Sequence, residues 1–165
     1  DDLKDTLRLH DLPVVIECFD ISHFSGTSTV GSMVQFRDAK PAKSNYRRFK
    51  IKTVDGIDDV SAIAEVVRRR YTRLVKESSE LPDLIIIDGG TGQLNSAVRE
   101  LKKLRLQIPI VAIAKKFEEV YMPGLSFPLA LDRRSSALKL MQQIRDEAHR
   151  FAISYSRLLH KKTVL

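Results

Sequence analysis

Two short apolar runs in this sequence each close on an aspartate: Val14-Val15-Ile16-Glu17-Cys18-Phe19-Asp20 and Leu84-Ile85-Ile86-Ile87-Asp88, the second continuing into Gly89-Gly90. Runs of this length, closed by turn residues, read as buried central strands. A carboxylate at the end of such a strand lies on the rim of a sheet. If the two strands are neighbours, Asp20 and Asp88 converge, and converging carboxylates mark a divalent cation or acid–base chemistry. Taken singly, each has an ordinary alternative: Asp20 as a turn-forming residue, Asp88 as the turn into a helix. Two Mg²⁺ or Mn²⁺ ions clamped by carboxylates suit in-line attack of water on a phosphodiester.

Other residues are candidates for the same chemistry. His149, within Arg145-Asp146-Glu147-Ala148-His149-Arg150, shares a helix edge with Gln142, Arg145 and Asp146, beside an apolar stripe. It is placed to ligate metal or hold a water, with Asp146 and Glu147 as alternatives; a border histidine on a helix surface is the plainer reading. Asp58 and Asp59 precede a helical stripe; an N-cap explains one of them and the other is left to face the site. Arg47 and Arg48 beside Tyr46, and Lys115-Lys116 after a strand, are the better phosphate contacts. Arg68-Arg69-Arg70 covers nearly a full turn of helix and reads mostly as a solvated face. Gly89 to Gly92 lacks the Lys-Ser/Thr of a P-loop and the spacing of a dinucleotide fingerprint, so close backbone approach explains the glycines better than a nucleotide does.

The elements that must position these residues follow from periodicity. Val14 to Phe19, Thr29 to Arg37 and Tyr46 to Lys52 read as three strands of an antiparallel meander. A helix then begins near Asp58 or Asp59, with Val60, Ile63, Ala64, Val67, Tyr71, Leu74 and Val75 on one face. Leu84 to Ile87 is the fourth strand, and Leu94, Ala97, Val98, Leu101 and Leu104 line the next helix. Ile108 to Ala114 is the fifth strand. Glu118 to Leu131, with two prolines and a glycine, reads as a loop or small hairpin. A long helix spans Ser135 to Arg157, with Leu138, Met141, Ile144, Ala148, Phe151 and Ala152 inward. The order βββ-α-β-α-β-α implies an α/β fold: a mixed five-stranded sheet with helices on its faces, the ribonuclease H-like order. There the first and fourth strands are neighbours, which sets Asp20 beside Asp88.

Composition bounds the partner. The chain has 165 residues and 43% hydrophobic content, enough for one domain with a real core. Its formal charge is +7, from 28 Lys and Arg against 21 Asp and Glu, which favours a polyanion such as nucleic acid. The single cysteine, Cys18, reads as core and excludes an internal disulfide or zinc cluster; a reducing cytoplasm is the expected home. No stretch has the length of a membrane span or the pattern of a signal peptide. The start, Asp1 to His10, reads as the tail of a preceding helix, and both ends suggest a piece of a longer protein.

With these residues in view, the sequence resembles the UvrC family, the nuclease subunits of the bacterial nucleotide-excision-repair excinuclease. The matching runs are Ile16 to His23, Tyr46 to Phe49, Arg68 to Tyr71, Leu81 to Gly90 with Gly92 to Asn95, and Ile144 to Ile153. The resemblance implies the family's C-terminal, ribonuclease H-like endonuclease domain, which makes the 5′ incision beside a lesion in double-stranded DNA. It puts the family's catalytic set on Asp20, Asp88 and His149, with a further aspartate on Asp59. It implies Mg²⁺ or Mn²⁺ held by Asp20, Asp88 and His149, DNA contacts from Arg47, Arg48, Lys115, Lys116 and Arg145, and a partner, UvrB, reached through regions outside this chain. The family's GIY-YIG, UvrB-binding and helix-hairpin-helix regions are not in this chain. Ser156 before Arg157 departs from the family's usual His-Arg. A histidine in place of a further carboxylate leaves one-metal and two-metal mechanisms both open. Two other readings stand beside this one: a non-catalytic nucleic-acid-binding domain of the same fold, and an ATPase or sugar-kinase lobe.

Overall fold

The computed structural model describes residues 2–9, 12–24, 28–54, 56–114 and 119–164, with side chains described as far as Tyr155 and at Leu158. Lys115 and Lys116 lie outside the described residues. The chain runs α1 (Asp2–Thr6), β1 (Val15–His23), β2 (Thr29–Arg37), β3 (Lys40–Pro41), a 3₁₀ turn (Lys43–Asn45), β4 (Arg47–Lys50), α2 (Asp59–Lys76), β5 (Leu84–Asp88), α3 (Thr91–Lys103), β6 (Ile110–Ile113), β7 (Glu119–Tyr121), β8 (Leu129–Ala130) and α4 (Ser136–Val164).

The expected meander forms: β1 pairs antiparallel with β2, and β2 with β4. β1 then pairs parallel with β5, and β5 with β6. The sheet is larger than the five strands expected. Among the described residues it has eight, in the order β3-β2-β1-β5-β6-β7-β8 with β4 also on β2. The additions are the short β3 and the hairpin β7–β8, where Val120 faces Ile113 across the β6 ladder. Of the loop or small hairpin expected there, the hairpin forms, with Pro123, Gly124 and Pro128 between its paired residues.

The parallel register is pinned by one residue at its start. Asp83 Oδ2 accepts from the Val15 N–H (2.8 Å), and the Asp83 N–H donates to the Val15 carbonyl (2.8 Å). The ladder then runs from Ile16↔Leu84 to Phe19↔Ile87, so Asp20 and Asp88 come next, side by side.

Strand alternation divides the core in two. Ile16, Cys18, Leu84, Ile86, Val111 and Ile113 pack under α1 and α4 with Leu138, Met141, Ile144 and Ala148. Phe19, Ile85, Ile87 and Ala112 pack under α2 and α3 with Ile63, Val66, Val67, Leu94, Ala97 and Leu101. The buried arc of α2 is rotated from the one expected. Val60 and Val75 are exposed, whereas Ala62, Glu65, Val66 and Arg70 are buried. The helix packs on α3 as well as on the sheet, and its buried charges are paired. Gly31 on β2 makes the approach possible, since a Cβ there would collide with Val66.

Arg70 departs most from the solvated face expected of the arginine run. It is 8% exposed and binds Glu17, itself 1% exposed on β1. Arg70 Nη2 donates to Glu17 Oε2 (2.7 Å), the Tyr71 hydroxyl to Oε1 (2.8 Å) and Gln35 Nε2 to Oε2 (2.7 Å). This network buries a charge pair with the carboxylate satisfied from three sides, the condition under which such burial is tolerated.

Candidate active site

Asp20 does not end its strand, as its sequence context suggested. β1 continues through Ile21 and Ser22 to His23, because β2 pairs with it to the last residue, His23↔Thr29. Asp88 does end β5. Both aspartates have the parity of Cys18 and Ile86 and so face α4, and both are 5% exposed. On α4, His149 sits one position after the buried Ala148, with its side chain 55% exposed. Its Nδ1 stands 3.7 Å from Asp20 Oδ2. Sequence reasoning expected these three residues together, and the fold brings them together from β1, β5 and α4.

Asp88 lines two openings. One is a cleft of about 320 Å³ lined by Asp20, Asp59, Asp88, Gly89, Gln93 and Tyr121, among others. The other, of about 210 Å³, is lined by Asp88, Arg145, Asp146 and His149. Arg145 thus lines the opening beside Asp88 from α4, one turn before His149, and it also pairs with Asp146 (3.3 Å). The alternatives to His149 divide. Asp146 lines the second opening, while Glu147 is drawn away by the Tyr46 hydroxyl (2.7 Å) and by Arg150 (2.6 Å).

Asp58 and Asp59 separate cleanly. Asp58 caps α2: its Oδ1 accepts from the Ser61 N–H (3.0 Å) and its Oδ2 from the Ser61 hydroxyl (2.7 Å). Those hydrogen bonds hold its carboxyl below the usual carboxylate range. Asp59 has no capping duty, lines the cleft, and receives His23 Nε2 on its Oδ1 (2.6 Å). His23 was not singled out from sequence. Its partner lies 36 residues away, so the only available signal was its place three residues after Asp20.

The arginine pair of β4 also divides. Arg47 is exposed, its guanidinium hydrogen-bonded to the nearby backbone carbonyls of Ser44 (3.2 Å) and Tyr46 (2.8 Å). Arg48 is half-buried against α4. Its guanidinium carbon lies 3.9 Å from the Phe151 ring centre and 4.9 Å from that of Tyr155, and Nη2 donates to Ser154 Oγ (2.8 Å). Arg48 thus fastens β4 to the helix that carries His149. The glycine loop likewise has a local use. The Gly90 N–H donates to Gln93 Oε1 (2.8 Å), and Gly89 has no side chain to obstruct that fold-back. A backbone donor that a phosphate cradle would need is therefore occupied.

The donor set has the chemistry of a hard divalent cation: two buried carboxylates and an imidazole, with a third carboxylate across the cleft. Among the described residues no three His, Cys, Asp or Glu side chains are close enough to close a coordination shell by themselves.

A sheet of three antiparallel strands passing into parallel β1, β5 and β6, carrying this carboxylate pair on its rim, has the architecture of a ribonuclease H-like domain. The chain belongs to the family described as the UvrC RNase H endonuclease domain, whose model matches residues 4–153. It is 63% identical over 163 residues to the UvrABC system protein C of Methanosarcina acetivorans, covering 99% of this chain and 32% of that protein. To the UvrABC system protein C of Chlorobium chlorochromatii it is 53% identical, covering 99% of this chain and 26% of that protein. The chain thus spans about a third or less of the length of these relatives. Among solved structures, a Ciona intestinalis Endonuclease V in complex with a 24mer DNA aligns with a TM-score of 0.49 at 14% identity, covering 84% of this chain and 59% of that one.

Proposed function

We propose that this chain is a divalent-metal-dependent endodeoxyribonuclease domain that hydrolyses a phosphodiester, making the 5′ incision beside a lesion in nucleotide excision repair. The observation that carries this reading is the pairing of buried Asp20 and Asp88 on adjacent parallel strands, with His149 Nδ1 3.7 Å from Asp20 Oδ2. Family membership gives the endonuclease class.

Asp20 and Asp88 would hold the ion, Mg²⁺ or Mn²⁺, with His149 completing or orienting the set. When bound, such a cation supplies Lewis acidity at a phosphoryl oxygen. His149 is placed to hold a water and accept its proton at Nδ1. Arg145 draws a phosphate oxygen toward the carboxylates and offsets their charge. Arg47 supplies an exposed contact further along the backbone, with Lys115 and Lys116 as further phosphate contacts.

The substrate in this reading is double-stranded damaged DNA, delivered by a partner, UvrB, bound through regions outside this chain. Contacts from arginine and lysine position a duplex without reading its lesion, and the chain has no tryptophan to stack on a base. A cytoplasmic home accords with that substrate; among the described residues no helix is long and apolar enough to cross a membrane.

The test is nicking of supercoiled plasmid with Mn²⁺ or Mg²⁺, for the wild type and for Asp20→Ala. Metal-dependent nicking that disappears in Asp20→Ala supports the reading. Nicking that survives Asp20→Ala, or DNA binding with no cleavage under any metal, overturns it; the second outcome favours a non-catalytic binding domain.

A further inference from the structure

β1 serves both faces of the sheet at the cleft. Its alternation sends Asp20 toward α4, and His23, three residues on, toward the α2 side. There the His23 ring is held at both nitrogens. Nδ1 is 3.1 Å from the hydroxyl of Thr29, its register partner on β2, and Nε2 is 2.6 Å from Asp59 Oδ1. Thr29 is buried and set in the ladder, so the ring has a fixed anchor.

The hydrogen-bond pattern places one proton. A carboxylate only accepts, so Nε2 carries the hydrogen donated to Asp59, while the Thr29 hydroxyl can serve Nδ1 as donor or acceptor. The chain Thr29–His23–Asp59 thereby fixes a side chain that would otherwise turn freely, since the Asp59 side chain is 43% exposed. Asp59 also starts α2, where the helix dipole favours its negative charge. With Asp58 taking the cap, Asp59 is left to face the cleft that Asp20 and Asp88 line.

We propose that His23 is a positioning residue that holds Asp59 at the cleft as a third carboxylate, opposite the Asp20–Asp88 pair. The proposal rests on the phosphodiesterase reading of the site. His23 touches no reacting atom. It acts through Asp59, as the orienting partners of site carboxylates and histidines generally do. One oxygen of Asp59, Oδ1, is engaged by His23, which leaves Oδ2 as the oxygen available to a water of the cation's shell or to the substrate.

The experiment compares His23→Ala, His23→Gln, Asp59→Ala and the double variant His23→Ala/Asp59→Ala in the protein as its source expresses it. Readouts are kcat and KM for incision, melting temperature, and ring nitrogen shifts of ¹⁵N-labelled His23. His23→Ala is expected to lower kcat by about 10–100-fold with KM within about twofold. His23→Gln, whose amide nitrogen reaches where Nε2 stood, is expected to recover most of that loss. The double variant is expected to match Asp59→Ala alone, because two residues acting through one carboxylate are not additive. The nitrogen shifts should report hydrogen on Nε2, and they should change in Asp59→Asn.

His23→Ala with kcat unchanged overturns the proposal. So does a fully additive double variant, or a loss in His23→Gln equal to that in His23→Ala and matched by a fall in melting temperature, which is the signature of a structural role. The nitrogen shifts need no activity. A wild type that fails to incise overturns the nuclease reading, whereas shifts indifferent to Asp59→Asn overturn the His23–Asp59 link itself.

Discussion

Nδ1 of His149 stands 3.7 Å from Oδ2 of Asp20, a residue on α4 reaching one on β1 across the edge of the core. The separation is longer than a hydrogen bond, and the histidine side chain is 55% exposed while that of Asp20 is 7%. Two groups at this spacing can share one ion or water between them. Mn²⁺ is therefore expected to stabilise the wild type. At a concentration 100 times the dissociation constant the gain is about 2.7 kcal/mol, or about 5–10 °C in a domain of this size. Asp20→Ala should lose that shift altogether and His149→Ala only part of it. Calorimetric melting with and without Mn²⁺ checks this. An equal shift in Asp20→Ala would place the ion elsewhere.

Arg47 and Arg48 are neighbours in sequence and differ in what their removal should do. Arg47→Ala deletes an exposed charge, so DNA binding should lose roughly one unit of salt slope with little change in melting. Arg48→Ala deletes a guanidinium stacked on Phe151 and hydrogen-bonded to Ser154 Oγ. It should cost about 2 kcal/mol of stability and lower kcat by displacing the helix that bears His149. Salt titrations of duplex binding alongside thermal melts separate the two. Equal losses of salt slope would mean that Arg48 leaves α4 to meet phosphate.

The Glu17–Arg70 pair lies toward the start of β1, away from the cleft. Arg70→Ala leaves Glu17 buried with its counter-ion gone, a change that costs about 3–5 kcal/mol. Arg70→Lys should recover little, because the fork contacts Glu17 through both Nε (3.3 Å) and Nη2 (2.7 Å). Incision measured well below the melting temperature should be preserved in both variants. Urea unfolding gives the energy, and a loss of kcat without destabilisation would tie the network to the site.

What the sequence disclosed follows from the range of each signal. Local signals read well. The span of β2 from Thr29 to Arg37, the cap at Asp58 and the α4 stripe from Leu138 to Ala152 all depend on neighbours within a turn or a strand. Topology then carried Asp20, Asp88 and His149 to one place, since an antiparallel meander followed by βαβ units has few arrangements. Signals across the fold could not be read. Glu17 and Arg70 are 53 positions apart, and a lone glutamate within an apolar strand gives no sign of its partner. His23 and Asp59 pair for the same reason without a local mark. The hairpin β7–β8 was one of two readings of its segment, a loop or a small hairpin; that it joins the sheet through β6 was not legible, because its turn residues outnumber its short paired strands. Arg48 resembled Arg47 because type and spacing do not distinguish an arginine that stacks from one that faces solvent.

Tyr71 contributes to the dependence of the fold's stability on alkaline pH. Its ring is fully buried, edge-on to Phe19 with ring centres 5.9 Å apart, and its hydroxyl donates to Glu17 Oε1 (2.8 Å). Burial, and then the adjacent Glu17 carboxylate, push the phenol well above its ordinary value of 10.0. In the unfolded chain the phenol ionises near that ordinary value; in the fold it stays protonated to higher pH. The folded state thus holds one more proton than the unfolded state above about pH 10, and stability falls as pH rises through that window. Below it the contribution is complete and constant. The slope from this one group is about 1.4 kcal/mol per pH unit. Tyr71→Phe keeps the ring and removes the titration, so its unfolding energy should be lower at pH 8, where Glu17 has lost a donor, yet decline less steeply between pH 10 and 11. Urea unfolding of both proteins at intervals from pH 8 to pH 11 measures the two slopes. Parallel curves would mean that Tyr71 ionises within the fold, and that the Glu17 network opens before the protein does.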